Sequence, residues 1–307
     1  MIRGVIFQML AAGACASLMA GAAAAEPARF DSPDAAVAAL IGALEARDRP
    51  GVLAVFGPEA EDVISTGSPD RDRAVWTDFL EGWRELNRIA VDAAGDVATL
   101  HIGRDQWPFP IALRRGADGW AFDAEGGREE IRLRRIGRNE LDVIELLRAY
   151  VRVQSDYRRT DWDGDGVMEF ASGVLSTPGA RDGLYWPAEP GAPESPVGDF
   201  VARASADGYT MGDTAVSAEP YLGYVYRVLL GQTDAAPGGA LAYRVNGNMV
   251  AGHALLAFPA EYGETGVMSF MIAEGGVIHE ADLGPETLEA AARIERFDPG
   301  PEWRVAE

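Results

Sequence analysis

Between Asn139 and Ser172 a helical stripe runs straight into an Asp/Gly loop, and that junction divides the chain in two. Val143, Leu146, Leu147, Tyr150, Val153 and Tyr157 recur at three- and four-residue spacing. That spacing predicts an amphipathic helix of about five turns with one buried face. Asn139 stands where it would cap the first turn, and Glu140 and Asp142 put negative charge at the positive end of the macrodipole. The stripe reads as the buried face of a core helix packed on a sheet.

The segment before the helix begins with a leader pattern. Met-Ile-Arg is followed by an uncharged run from Gly4 to Ala25, and Ala23-Ala24-Ala25 precedes Glu26, as at a secretory cleavage site. Residues 1–25 are therefore expected to be a signal peptide, with no membrane insertion after its removal. The mature protein is expected in the periplasm or outside the cell. Cys15, the one cysteine, lies inside this leader.

Residues 26–126 read as an N-terminal α+β domain. Ser32-Pro33 is a helix start, and Ala36, Val37, Leu40, Ile41 and Leu44 give the stripe that follows. Short helical patterns over Val52–Phe56 and around Val75–Trp83 come next. Strands are expected over Val97–Ile102, Phe109–Leu113 and Gly119–Asp123. Helices first and a curved antiparallel sheet after is the order of cone-like, cystatin-type domains. Trp107, Trp120 and Phe122 would line the interior of such a cone or fill its core. Arg128 to Arg138 carries five arginines. It is expected as a solvated strand and loop paired with Glu129, Glu130 and Glu140, or else as an anion site.

Residues 127–307 read as a second domain, the central helix followed by a C-terminal antiparallel meander. Its strands are expected over Tyr224–Leu230, Leu241–Val245, Ala254–Phe258, Val267–Ile272 and Val277–Glu280. Asn246-Gly247 and Glu274-Gly275-Gly276 are the hairpin turns, and Gly284-Pro285 opens a last helix. Helix, irregular loop and meander resemble the globular half of a pilin or pseudopilin.

Composition removes several chemistries. All 27 basic residues are arginine, so no lysine is present for a Schiff base or a phosphate-binding P-loop. The net charge of −21 disfavours nucleic acid and anionic lipid as partners. Neither a His-Glu-x-x-His nor a Gly-x-Ser-x-Gly motif occurs, and His101, His253 and His279 are far apart in sequence.

Several motifs in fixed order carry a family resemblance. They are Trp107-Pro108-Phe109-Pro110, Arg134-Arg135-Ile136-Gly137-Arg138-Asn139-Glu140-Leu141, Gly183-Leu184-Tyr185-Trp186-Pro187, Gly223-Tyr224, Pro259-Ala260-Glu261-Tyr262-Gly263 and Asp282-Leu283-Gly284. With them the chain resembles the exported bacterial domain-of-unknown-function family DUF2950 over nearly its whole mature length. The resemblance implies export and a shared fold and brings no activity. The chain departs from the family pattern at His253, where a Phe is expected.

Asp161-Trp162-Asp163-Gly164-Asp165-Gly166 holds the strongest candidate site. Carboxylates at alternate positions with Gly at the sixth place match the first half of a calcium loop. Glu169, at the ninth place, is a further candidate ligand, while Ser172 replaces the bidentate Glu of the twelfth. For catalysis the single candidate is Glu261, as one member of a carboxylate pair. Three readings stay open. The first is a non-enzymatic binding or assembly module, steadied by calcium, with an envelope protein or polymer as partner. The others are a carboxylate-based hydrolase of an envelope glycan or peptide, and a small-ligand binder using the N-terminal domain.

Overall fold

The computed structural model describes residues 27–188, 190–197 and 220–306, so the leader expected over residues 1–25 lies outside the described residues. The chain mixes helices with antiparallel sheet, an α+β fold, and divides into two compact units, Met1–Arg134 and Arg135–Glu307.

In the first unit, α1 (Pro33–Glu45) starts where Ser32 Oγ accepts the Ala35 amide at 3.1 Å. That bond satisfies an amide the helix itself cannot pair. It is followed by α2 (Arg49–Phe56), a 3₁₀ turn (Pro58–Ala60), α3 (Glu61–Ile64) and α4 (Pro69–Glu85). Buried Asp72 in α4 ties these pieces together. It accepts from the Thr66 amide and hydroxyl at 2.6 Å each, and from Ser65 Oγ and Arg49 at 2.9 Å.

The sheet of this unit is antiparallel, with strands β1 (Asn87–Val91), β2 (Val97–Ile102), β3 (Trp107–Pro108), β4 (Leu113–Gly116) and β5 (Gly119–Phe122). Its order is β1-β2-β4-β5, with β3 also on β2. Ala98, Leu100 and Ile102 alternate inward and join the core with Leu40 and Leu113. The expected strand over Phe109–Leu113 is replaced by irregular backbone between β3 and β4. Pro108 and Pro110 have no amide to give a ladder, so pairing cannot run through them. Trp107, Trp120 and Phe122 are core residues.

The central helix, α5 (Ala124–Tyr157), begins fifteen residues before Asn139. Asn139 does not cap it, and Arg128–Arg138 is helical, not strand and loop. The cap is upstream, where Asp123 Oδ1 accepts the Gly126 amide at 2.9 Å. Arg132 pairs with Glu129 and Arg134 with Glu130, one turn apart, while Ile131 and Ile136 are buried. Each such ion pair contributes only tenths of a kcal/mol, so burial of the isoleucines stabilises this stretch more than its charges do. Arg128 reaches Asp62, and Arg135 reaches Glu264. The division between the units falls inside α5.

The second unit holds β6 (Gly173–Leu175) and β7 (Gly183–Tyr185), a parallel pair, then β8 (Tyr224–Leu229) and β9 (Gly231–Gln232). Next come β10 (Leu241–Ala242), β11 (Arg244–Val245), β12 (Asn248–Met249) and β13 (Ala254–Pro259). After these follow β14 (Met268–Ala273), β15 (Ile278–Asp282), α6 (Thr287–Ala292) and β16 (Arg304–Val305).

The main sheet of this unit is antiparallel in the order β16-β15-β14-β13-β8. All six residues of β13 are buried at its centre. Val143, Leu147 and Tyr150 of α5 share one core with β8, β13 and β14. The strand expected over Leu241–Val245 is two short ones, because Tyr243 between them turns into the core and its amide bonds Leu230 O at 3.0 Å. β11 and β12 form a hairpin through Asn246-Gly247, whose φ values of 52° and 99° are those of a primed turn.

Candidate functional site

The Asp loop starts one turn beyond α5. Trp162 Nε1 donates to Tyr157 O at 3.0 Å, which folds the chain back on the helix end. Asp161 then accepts the Gly164 amide at 2.8 Å and the Gly166 amide at 2.9 Å. The bond from Gly166 leads the causes that hold the Asp161 carboxyl below its ordinary pKa. Gly164 and Gly166 have φ of 78° and 88°, so the tight winding needs glycine at both places.

This winding brings one oxygen from each of Asp161, Asp163 and Asp165 within 4.8 Å of one another. Like charges at that spacing repel, and a hard cation with oxygen ligands relieves the repulsion. Asp163 and Asp165 also take amides two residues on, from Asp165 at 3.2 Å and Val167 at 2.7 Å.

Glu169 stands apart from the cluster. Its Oε2 accepts the Met249 amide at 2.5 Å, and burial first, then Asp163 and Asp165, push its pKa up. Ser172 Oγ is turned to Asp182 O at 3.2 Å. Sequence spacing missed Asn248, whose Nδ2 donates to Asp165 Oδ2 at 2.6 Å. The two residues are 83 apart, and nothing local to either marks the pair. Only the Asn246-Gly247 turn, which presents β12, could have hinted at it.

Glu261 is exposed in the β13–β14 connection, far in sequence from the Asp loop. Its backbone carbonyl accepts the Glu264 and Thr265 amides, so it is the main chain of Glu261 that makes the turn. Arg135 bonds Glu264, Asn139 Nδ2 donates to Thr265 O at 2.8 Å, and Glu140 accepts the Val267 and Met268 amides at 2.9 and 3.0 Å. A Cβ on Gly223 would lie 2.6 Å from Asn139 Nδ2. Three of the stretches that carry the family resemblance thus meet in one clasp.

The histidines are separate. His101 Nδ1 lies 3.0 Å from Gln106 O. His253 is buried with its ring 5.2 Å from Tyr150 and 4.7 Å from Phe170, and its Nδ1 has no hydrogen-bond partner among the described residues. Burial, aided by Arg158, lowers its pKa to about 4. His279 on β15 is half-buried against Phe297, and burial lowers its pKa as well. In the first unit an apolar cavity of about 60 Å³ is lined by Leu40, Val63, Phe79, Phe109 and Ile131 among others. That is well under the ~300 Å³ at which small-molecule pockets begin.

A family model described as "Protein of unknown function (DUF2950)" matches residues 28–306. No curated protein and no solved structure matches the chain.

Proposed function

We propose that this chain, which belongs to the DUF2950 family, is an exported bacterial binding or assembly module with a structural calcium loop. The observation that carries the calcium reading is the clustering of Asp161, Asp163 and Asp165 oxygens within 4.8 Å on a glycine-wound turn. Their oxygen-only chemistry suits a hard cation, and a loop short of a twelfth-position carboxylate suits the weak end of calcium affinity, about 10⁻⁴–10⁻³ M. Glu169 joins as a ligand through water or by giving up the Met249 amide.

Export is supported by the uncharged Gly4–Ala25 run ending in Ala23-x-Ala25. The net charge of −21 supports an envelope protein or neutral polymer as partner over nucleic acid. The order of elements supports a cone-like, cystatin-type first unit. A long helix sharing its core with a five-stranded antiparallel sheet supports a pilin- or pseudopilin-like second unit.

Isothermal calorimetry of the mature protein with calcium tests the reading. Heat of binding that vanishes in Asp163→Ala supports it. No heat, with identical melting in calcium and in chelator, removes the calcium role.

A further inference from the structure

The chain has four asparagines, and the fold treats one of them differently. Asn87 Nδ2 donates to Trp83 O at 2.9 Å, Asn139 Nδ2 to Thr265 O at 2.8 Å and Asn248 Nδ2 to Asp165 Oδ2 at 2.6 Å. Among the described residues the Asn246 side-chain amide has no hydrogen-bond partner, and neither does the N–H of Gly247 that follows it. Both residues are exposed, and a Cβ built on Gly247 would meet nothing within 4 Å. Arg88, Glu140 and Met249 follow the other three asparagines, so Asn246 alone precedes a residue with no side chain.

An asparagine in that position is open to attack by its own backbone. The Gly247 nitrogen, giving its proton to solvent base, adds to Asn246 Cγ. The new N–Cγ bond closes a five-membered ring, the Cγ–Nδ2 bond breaks, and ammonia leaves with a proton from water. Water then opens the succinimide at either carbonyl. Cleavage at Cγ leaves aspartate. Cleavage at the backbone carbonyl leaves isoaspartate, whose main chain runs on through Cβ and Cγ. The sum is amide plus water to carboxylate plus ammonium, with nothing oxidised or reduced.

Ring closure requires the Asn246 backbone to rotate out of the turn, where its φ is 52°. The hairpin resists this little. β11 and β12 are two residues each and pair only with one another, and a two-stranded ribbon is marginal by itself. What anchors the hairpin lies beyond its tip, at Asn248 and Met249. We propose that Asn246 converts spontaneously through a succinimide to aspartate and isoaspartate, and that the isoaspartate form loosens β12 from the Asp loop. Hairpin register is set by the turn and its length, and isoaspartate adds a backbone atom to this two-residue turn. The contacts next in line are Asn248 with Asp165 and Met249 with Glu169.

Peptide mapping by mass spectrometry tests this on purified protein held in mildly alkaline buffer, native and in urea. In the native protein Asn246 should exchange amide for acid severalfold faster than Asn87, Asn139 and Asn248, and enzymatic methylation should detect the isoaspartate form. Conversion in urea but not in the native protein overturns the proposal, as does conversion no faster at Asn246 than at Asn248. The second claim is read by hydrogen exchange at the Met249 amide. Exchange should be severalfold faster in the isoaspartate form than in Asn246→Asp, which adds the charge without lengthening the backbone. Equal exchange in the two overturns the loosening of β12.

Discussion

The Glu169 carboxylate accepts the Met249 amide at 2.5 Å, joining the end of the Asp loop to a strand 80 residues further on. With the Asp165–Asn248 bond at 2.6 Å, it makes β12 the wall against which the loop is wound. The carboxylates already have hydrogen-bond partners, so an ion at this loop would tighten an arrangement that exists without it.

Calcium at ten times its dissociation constant adds about 1.4 kcal/mol to stability, so millimolar calcium should raise the melting temperature by a few degrees. Magnesium should do less, because it dehydrates reluctantly and demands octahedral geometry. Asp163→Ala should make the calcium and chelator melting curves coincide. Scanning calorimetry of both proteins in both buffers is the check.

Acid should destabilise the second unit through His253. Its pKa is lowered to about 4 in the fold by burial and Arg158, against about 6.5 in an unfolded chain. The unfolded state therefore takes up the proton first. The contribution is complete above pH ~6.5 and is lost as pH falls from there to about 4, to the extent of about 3 kcal/mol. Urea titrations between pH 4 and 7 should show that slope reduced by roughly one proton in His253→Phe.

Gly223→Ala should cost about 1–3 kcal/mol, because Gly223 has φ of 76° and its added Cβ would meet Asn139 Nδ2 and, at 2.9 Å, Thr265 Cβ. The loss should appear as a lowered urea midpoint. An unchanged midpoint would mean that the clasp between α5 and the β13–β14 connection yields freely.

Asp72→Ala should cost about 2–3 kcal/mol through the donors of Thr66, Ser65 and Arg49 that it strands. Burial by itself would raise the Asp72 pKa, but the Thr66 and Ser65 bonds and the Arg49 charge outweigh it and hold the value low. The wild-type contribution is thus present above the unfolded carboxyl pKa and lost as pH falls below it. The difference between wild type and Asp72→Ala in urea midpoint should narrow toward pH 3.

If the chain is exported, protein recovered from the periplasm or medium should begin at Glu26. N-terminal sequencing decides this, and an intact Met1 on cytosolic protein would count against export.

What could be read beforehand was whatever depends on neighbours in sequence. The Ser32 cap, the alternation in Val97–Ile102 and the stripe of Val143, Leu147 and Tyr150 all express a local period, and each appears as expected. The first half of α5 hid because its outward face is arginine and glutamate, and Gly126, Gly127 and Gly137 lower its helix propensity. Tertiary burial of Ile131 and Ile136 overrides that. At the loop, the three aspartates were visible because their spacing is itself the geometry. The Asn248 and Met249 contacts were not, since they depend on how β12 is folded back. The cavity of about 320 Å³ that Tyr243, His253 and Phe297 help to line was invisible for the same reason, as its walls come from β9, the end of β14, β15 and the connections around them.

The place of β12 between these features has a thermodynamic consequence. Met249 takes the Glu169 carboxylate on its amide and gives its carbonyl to the Phe170 amide at 2.8 Å, while the Phe170 ring lies on His253. The Asn248–Met249 dipeptide therefore touches the Asp loop on one side and the packing around His253 on the other. Were a cation at the loop to fix β12, linkage would require whatever fixes that strand from the His253 side to raise cation affinity by the same factor.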